Sequence, residues 1–159
     1  MKLKIWKSKA YITTKVDSAK SQMQINKLLR DNGVQDSQHS NIQWKAELIF
    51  VKQLEVEGKK INVGVKITVP EVTDKNRNQL YRALFYYLKA KFESLTFGFV
   101  EEYNEAFIKE FMPYLVADKS GKTIADIILP KLNAALGKTM QGEQLYLEDK
   151  KEEGVNDEN

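Results

Sequence analysis

Few residues in this chain have the type and spacing to do chemistry. Ser120-Gly121-Lys122-Thr123 matches the end of a phosphate-binding P-loop. Such a loop needs a glycine five residues before Gly121, so that backbone N–H groups can turn onto a phosphate, and Val116 stands there. The tetrapeptide therefore predicts a turn and a helix cap, with a free helix N-terminus beside Lys119 and Lys122 able to hold a lone phosphate. Glu57-Gly58-Lys59 matches the E-x-K fragment of metal-dependent nucleases, in which the acid holds a divalent ion and the lysine polarises water. It lies where a hairpin turn is expected, and glycine and charge belong in such a turn anyway. Glu101, Glu102 and Glu105 open a helix, where acids complement the dipole. The only histidine, His39, falls in the polar run QDSQHSN, without an obvious Ser or Asp partner, and reads as a surface residue. Cysteine is absent, which removes disulfides, thiolate chemistry and Cys-based zinc sites and suits a reducing cytoplasm. No nucleophile–base set converges, so the expectation is a non-enzymatic protein without cofactor or metal.

Charge is more informative. The chain of 159 residues carries 25 Lys and Arg against 22 Asp and Glu. Seven of the acids and two of the bases lie in residues 141–159, which leaves 23 bases and 15 acids in residues 1–140. A basic body with an acidic tail fits a polyanion binder. It also fits a soluble protein with a solvated, charged end. The length suits one domain over residues 1–140 followed by a weakly ordered acidic tail, 141–159. No stretch approaches the roughly 18 apolar residues of a membrane span, and MKLKIWKSKAYITTK lacks the apolar core of a secretory signal.

The elements that must position these charges follow from periodicity. Residues 1–16, with KAYITTKV at their heart, predict a basic extended strand. Asp17 or Ser18 caps a helix through SAKSQMQINKLLRDN, with Met23, Ile25, Leu28 and Leu29 on its inner side and Gly33 as a left-handed stop against which Val34 packs. QDSQHSN predicts a loop. In NIQWKAELIF the apolar residues Ile42, Trp44, Ala46, Leu48 and Phe50 alternate with polar ones, and in KINVGVKITVP so do Ile61, Val63, Val65, Ile67 and Val69. Glu57-Gly58-Lys59 joins the two as a hairpin. Thr73 or Asp74 caps a long helix stopping at Gly98; a shorter helix carries Tyr103, Phe107 and Phe111 on one stripe and breaks at Met112-Pro113. Thr123 with Asp126 opens a last helix, bent by Pro130 and ended by Gly137. The fold class is α+β: a small antiparallel β-α-β-β sheet packed against a long helix and C-terminal helices.

Placing the long helix on a wheel sorts its charges from its apolar residues. Arg82, Tyr86, Lys89, Glu93 and Gln79 fall within about 40 degrees of Lys75. Leu80, Leu84, Leu88 and Leu95 fall opposite, flanked by Tyr81, Phe85 and Phe92. Lys75, Arg82 and Lys89 with Tyr86 between them have the spacing of a phosphate track, since cations release counterions and a tyrosine ring stacks on a base. A solvated helix face has the same composition. Lys91 lies among the leucines. An unpaired lysine there is costly, so it predicts either an ion pair with Glu101, Glu102 or Glu105, or a functional cation in a groove.

RALFYYLKAKFESLTFG (82–98), the Phe107/Phe111 segment, YLVADKSGKTIAD (114–126) with Pro130, and Gly137 to Met140 together resemble a family of small uncharacterised phage and prophage proteins. That family shows R-A-L-x-x-x-x-K-A-K-x-E followed by Gly, an aromatic-acidic helix, a D-G-[KR]-T turn and a closing Pro-containing helix. DSAKSQMQINKLLRDNGV resembles its first helix. The resemblance spans most of residues 11–140 and fails in the basic first ten residues, at the extra Lys119-Ser120 and in the acidic end. It implies a mobile-element origin and a setting in the host cytoplasm, and it carries over no functional residue.

The resulting expectation is a sequence-tolerant binder of single-stranded or duplex DNA. Its candidate contacts are Lys2, Lys4, Lys7, Lys9 and Lys15 of the N-terminal segment, Lys45 and Lys66 of the hairpin, and the track of Lys75, Arg82, Tyr86 and Lys89. The acidic tail would compete for that surface or recruit a protein partner. The alternatives are a protein-interaction module that inhibits or redirects a host protein, and a self-associating homo-oligomer built on the many aromatic side chains.

Overall fold

The computed structural model describes residues 9–42, 44–69, 71–97 and 102–139. They form α1 (Ser18–Asp31), β1 (Asp36–Ile42), β2 (Lys45–Val56), β3 (Lys59–Val69), α2 (Arg77–Ser94), α3 (Tyr103–Phe111), a 3-10 turn (Met112–Tyr114) and α4 (Ile124–Thr139). The strands make one antiparallel sheet in the order β1-β2-β3. The protein is thus a small α+β fold. No helix among the described residues is long and apolar enough to cross a membrane.

α1 has both of its ends written in the sequence. The Asp17 carboxylate accepts the Lys20 N–H at 2.7 Å. At the other end Gly33, with φ +73, lets its own N–H reach the Arg30 carbonyl and the Val34 N–H reach that of Leu29. The buried row is Ser21, Ile25 and Leu29, with Leu28 packed beside it, whereas Met23 is 70% exposed and not on the inner side.

β2 and β3 turn over at Glu57-Gly58, both with positive φ, in the two-residue hairpin geometry that asparagine and glycine usually supply. Ala46, Leu48, Phe50 and Leu54 of β2 and Val65 and Ile67 of β3 form the inner face. Against it lie Leu80, Leu84, Leu88 and Phe92 of α2 and Phe107 and Phe111 of α3. The phenyl rings interlock. Phe107 stacks on Phe111 at 4.6 Å, Phe111 meets Phe50 edge-on at 5.9 Å, and Phe92 lies 5.2 Å from Phe111. Such side chains contribute roughly 1.5–3 kcal/mol each by burial. Tyr103 shares their stripe in sequence but is 42% exposed at the first turn of α3.

Four expectations need correction. The described part of the N-terminal segment is a turn, closed by the Thr14 N–H on the Tyr11 carbonyl, rather than a strand. It is held from outside, by the Gln79 amide on the Ala10 carbonyl at 2.7 Å and by the Tyr11 ring stacked on Tyr86. The polar run expected as a loop is β1, whose backbone pairs with β2 from Asp36↔Val51 to Ile42↔Lys45. Because the chain reverses between Ile42 and Lys45, the apparent alternation through Ile42 and Trp44 is broken there. Both side chains are exposed, at 62% and 71%. α2 begins at Arg77, not at a Thr73 or Asp74 cap. Buried Asn76 brackets the lead-in, accepting the Thr73 N–H at 2.7 Å and donating to the Glu71 carbonyl at 2.9 Å. The expected stop at Gly98 lies outside the described residues.

The described residues divide into two compact units between Asp126 and Ile127. In the first, Leu115 and Val116 bridge β3 to Thr123, with the Val116 N–H on the Gly64 carbonyl at 2.8 Å. The Thr123 N–H donates to the Asp126 carboxylate and the Asp126 N–H to the Thr123 hydroxyl, the expected capping box. In the second unit α4 continues through Pro130 and past Gly137, the expected end, to Thr139. Its apolar residues Ile128, Leu129, Leu132 and Leu136 are all exposed.

Candidate nucleic-acid interface

The β1–β2 corner presents the largest exposed aromatic side chain among the described residues. Trp44 is 71% exposed and is followed directly by exposed Lys45. The Trp44 carbonyl accepts the Val72 N–H at 2.8 Å, which brings the segment leading to Lys75 against the same corner. Lys45 and Lys75 are exposed and carry no ion pair among the described residues. An indole face with cations beside it is what a sequence-tolerant single-strand binder uses. Sequence periodicity hid Trp44 by assigning it to the buried face. The signal that could have found it is the mismatch between QDSQHSN and a 42–50 strand, since a reversal between Ile42 and Lys45 resolves both.

The rest of the expected track is committed internally. Arg82 donates to the Gln24 side-chain carbonyl, and a second guanidinium nitrogen donates to the Tyr86 hydroxyl at 3.1 Å. The same guanidinium lies over the Tyr86 and Phe85 rings at 4.8 and 4.9 Å. Tyr86 is also stacked on Tyr11, with centroids 5.2 Å apart and planes within 10°. Lys89 pairs with Glu93 at 3.5 Å along the helix surface, and Gln79 is buried. Lys9 and Lys15 are exposed, Lys66 is half-buried, and Lys2, Lys4 and Lys7 lie outside the described residues.

The candidate reactive groups have structural roles. The Asp118 carboxylate accepts the Ser120 and Lys122 N–H groups at 2.9 and 3.2 Å and the Ser120 hydroxyl at 2.6 Å. These bonds, that of the hydroxyl foremost, hold the carboxyl below its usual pKa. An internal anion thus sits where a phosphate would. With Asp126 on the Thr123 N–H, the helix N-terminus expected to be free is filled. His39 belongs to β1 and is half-buried. Its Nε2 lies 2.9 Å from the Asn26 amide oxygen, its ring is 6.2 Å from Tyr81, and burial lowers its pKa. Glu105 pairs with Lys109 at 2.7 Å, and Glu101 lies outside the described residues. Among the described residues no group of three or more histidine and carboxylate side chains could hold a metal.

Lys91 does form an ion pair, with Glu110 rather than with Glu102 or Glu105. The rings of Tyr87, Phe111 and Tyr114 surround its ammonium. Burial and the hydrogen bond shared with the Tyr87 hydroxyl push the Tyr114 hydroxyl pKa up to about 12.

Lys52 is the second residue that sequence reasoning missed. It occupies the inner row of β2 between Phe50 and Leu54, only 9% exposed, and donates to the Asn32 carbonyl at 2.6 Å. Period-two reading beyond Phe50 would have flagged a lysine on an apolar face. Comparison with protein-family models, with curated proteins and with solved structures finds no match.

Proposed function

We propose that the protein is a non-enzymatic, sequence-tolerant binder of single-stranded nucleic acid, with the Trp44 corner as its contact surface. The observation that carries this reading is the indole of Trp44, 71% exposed beside unpaired Lys45 and the strand end leading to Lys75. A large exposed aromatic costs solubility unless something stacks on it, and every base offers a π-face. The basic balance of residues 1–140 supports attraction to phosphate. Tyr86 and Arg82 contribute as a stacked pair steadying Tyr11, between exposed Lys9 and Lys15. The resemblance of residues 82–98 and 114–126 to phage proteins supports a mobile-element protein acting in the host cytoplasm.

The test is a titration of the full chain with single-stranded and duplex oligonucleotides over a range of salt. Affinity should fall with rising salt, favour the single strand, and weaken in Lys45→Glu and Lys75→Glu variants. Binding that is absent at low salt, or indifferent to salt, sinks the proposal.

A second reading, a protein-interaction module, is supported by the exposed apolar row of Ile128, Leu129, Leu132 and Leu136 on α4. A stable protein complex recovered from nuclease-treated lysate, lost on Leu132→Lys, favours it.

A further inference from the structure

Lys52 stands beside a cleft of about 350 Å³ whose walls include Gln53, Glu55, Lys60, Tyr103 and Asn104. The cleft lies at the hairpin end of β2, away from Lys45 and Trp44 at the strand's other end. Its construction is specific. The Asn104 amide donates to the Glu55 carbonyl at 2.6 Å and fixes the start of α3 to β2. The Lys52 ammonium lies over the Tyr103 ring at 5.6 Å and donates to the carbonyl of Asn32, the C-cap of α1. A helix C-terminus carries partial negative charge, which helps to hold the cation. It leaves most of the charge uncompensated, because no carboxylate pairs with Lys52 among the described residues. An ammonium has three donors, and the Asn32 carbonyl takes one. Glu55 is matched across the ladder by Lys60, so the lining as a whole is net positive.

We infer that this cleft is a binding site for a small oxyanion, a carboxylate or phosphate head seated on the Lys52 ammonium with its body against the Tyr103 ring, and with Lys60, which starts from the sheet's other face, as a second cation of the lining. The inference stands apart from nucleic-acid binding and uses none of its residues. A nearly buried lysine on an apolar sheet face needs a compensating partner, and the carbonyl of Asn32 supplies only part of one. The cleft beside it supplies room for the rest. Burial lowers the Lys52 pKa, and an anion bound there would raise it again.

The experiment follows backbone amide resonances of the full chain, labelled with 15N, during titration with sodium phosphate and, separately, sodium succinate. Ionic strength is held constant with chloride. At least one arm should give saturating shifts confined to residues around Lys52, Lys60 and Tyr103, with a Kd of about 1 mM. The arm that saturates identifies the head group. Lys52→Met should abolish the saturation and Lys60→Ala should weaken it several-fold. Two linear, unsaturating responses, or saturation that survives Lys52→Met, overturn the proposal. Lys52 also holds Asn32, so if Lys52→Met fails to fold, Lys60→Ala decides: unchanged affinity in that variant overturns it.

Discussion

The ammonium of Lys91 lies 3.0 Å from a carboxylate oxygen of Glu110 and 3.0 Å from the main-chain carbonyl of the same residue. One side chain of α2 thereby clips the last turn of α3. Tyr87, Tyr114 and Phe111 stand 4.8, 5.5 and 5.6 Å from the cation, so its charge is met by ring faces as well as by the acid. Lys91 is 12% exposed and Glu110 32%. Lys91→Glu should lower stability by about 2 kcal/mol, because it sets two carboxylates together in a partly buried site. Lys91→Met should cost about 1 kcal/mol, since a thioether packs well against rings. Urea midpoints of the two variants check this; equal losses would mean that the site is indifferent to charge.

Gly33 and Lys52 are coupled. A Cβ at position 33 would stand 2.8 Å from the Lys52 ammonium nitrogen, and φ there is +73. Gly33→Ala should therefore cost about 1–2 kcal/mol, chiefly from left-handed strain, with a smaller part from moving the Lys52 ammonium off the Asn32 carbonyl. In a Lys52→Ala background the clash disappears and only the backbone part remains. A double-mutant cycle by chemical denaturation should return a coupling above about 0.5 kcal/mol. Strict additivity would show that Lys52 moves aside without cost.

Acid should weaken the fold through His39. Its Nε2 is matched to Asn26, while Nδ1 is buried without a partner, so protonation would put a donor where nothing accepts. The pKa is lowered from 6.5 by burial. Between that lowered value and 6.5 the unfolded chain binds more protons than the folded one. Stability therefore rises with pH across this window and falls as the solution is acidified through it. Urea midpoints at several pH values from 7.5 downward should fall for the parent chain, and His39→Gln should flatten the part of that fall lying within the window. An identical profile in the variant would assign the acid sensitivity elsewhere.

Trp44 should be dispensable for folding and not for binding. At 71% exposure it contributes little to the core, so Trp44→Ser should change stability by less than about 0.5 kcal/mol. Loss of one stacked base should weaken single-strand affinity about tenfold. Thermal melts and fluorescence anisotropy with a labelled oligonucleotide measure the two. A variant that melts early would relocate Trp44 to a structural role.

These contrasts bear on what a sequence can disclose. The α1 caps, the 57–58 hairpin and the Thr123/Asp126 box were legible because each rests on neighbours in the chain, within a turn of one another. β1 was not. An edge strand such as DSQHSNI buries little, so no apolar alternation marks it, and only pairing with β2 makes it a strand. The wheel of the long helix separated Leu84, Leu88 and Phe92 from the outer face correctly, yet could not show that Arg82 turns inward to Gln24 or that Tyr11 covers a face of Tyr86. Those contacts come from remote segments. Trp44 was hidden for the opposite reason, because a local pattern was continued through a reversal of the chain.

The sheet's two margins differ in a way that governs how copies of the protein behave when crowded. At β3, Leu115 and Val116 occupy the rim beside Gly64 and Val65, like a cork over its middle. Along β1 the described residues place no backbone partner, but the strand shows an incoming chain aspartate, serine, glutamine, histidine and asparagine, with a single exposed isoleucine, Ile42, at its end. Fibre growth feeds on rims that are both bare and greasy. This molecule has denied each rim one of those two qualities, which is how so short a sheet stays finite.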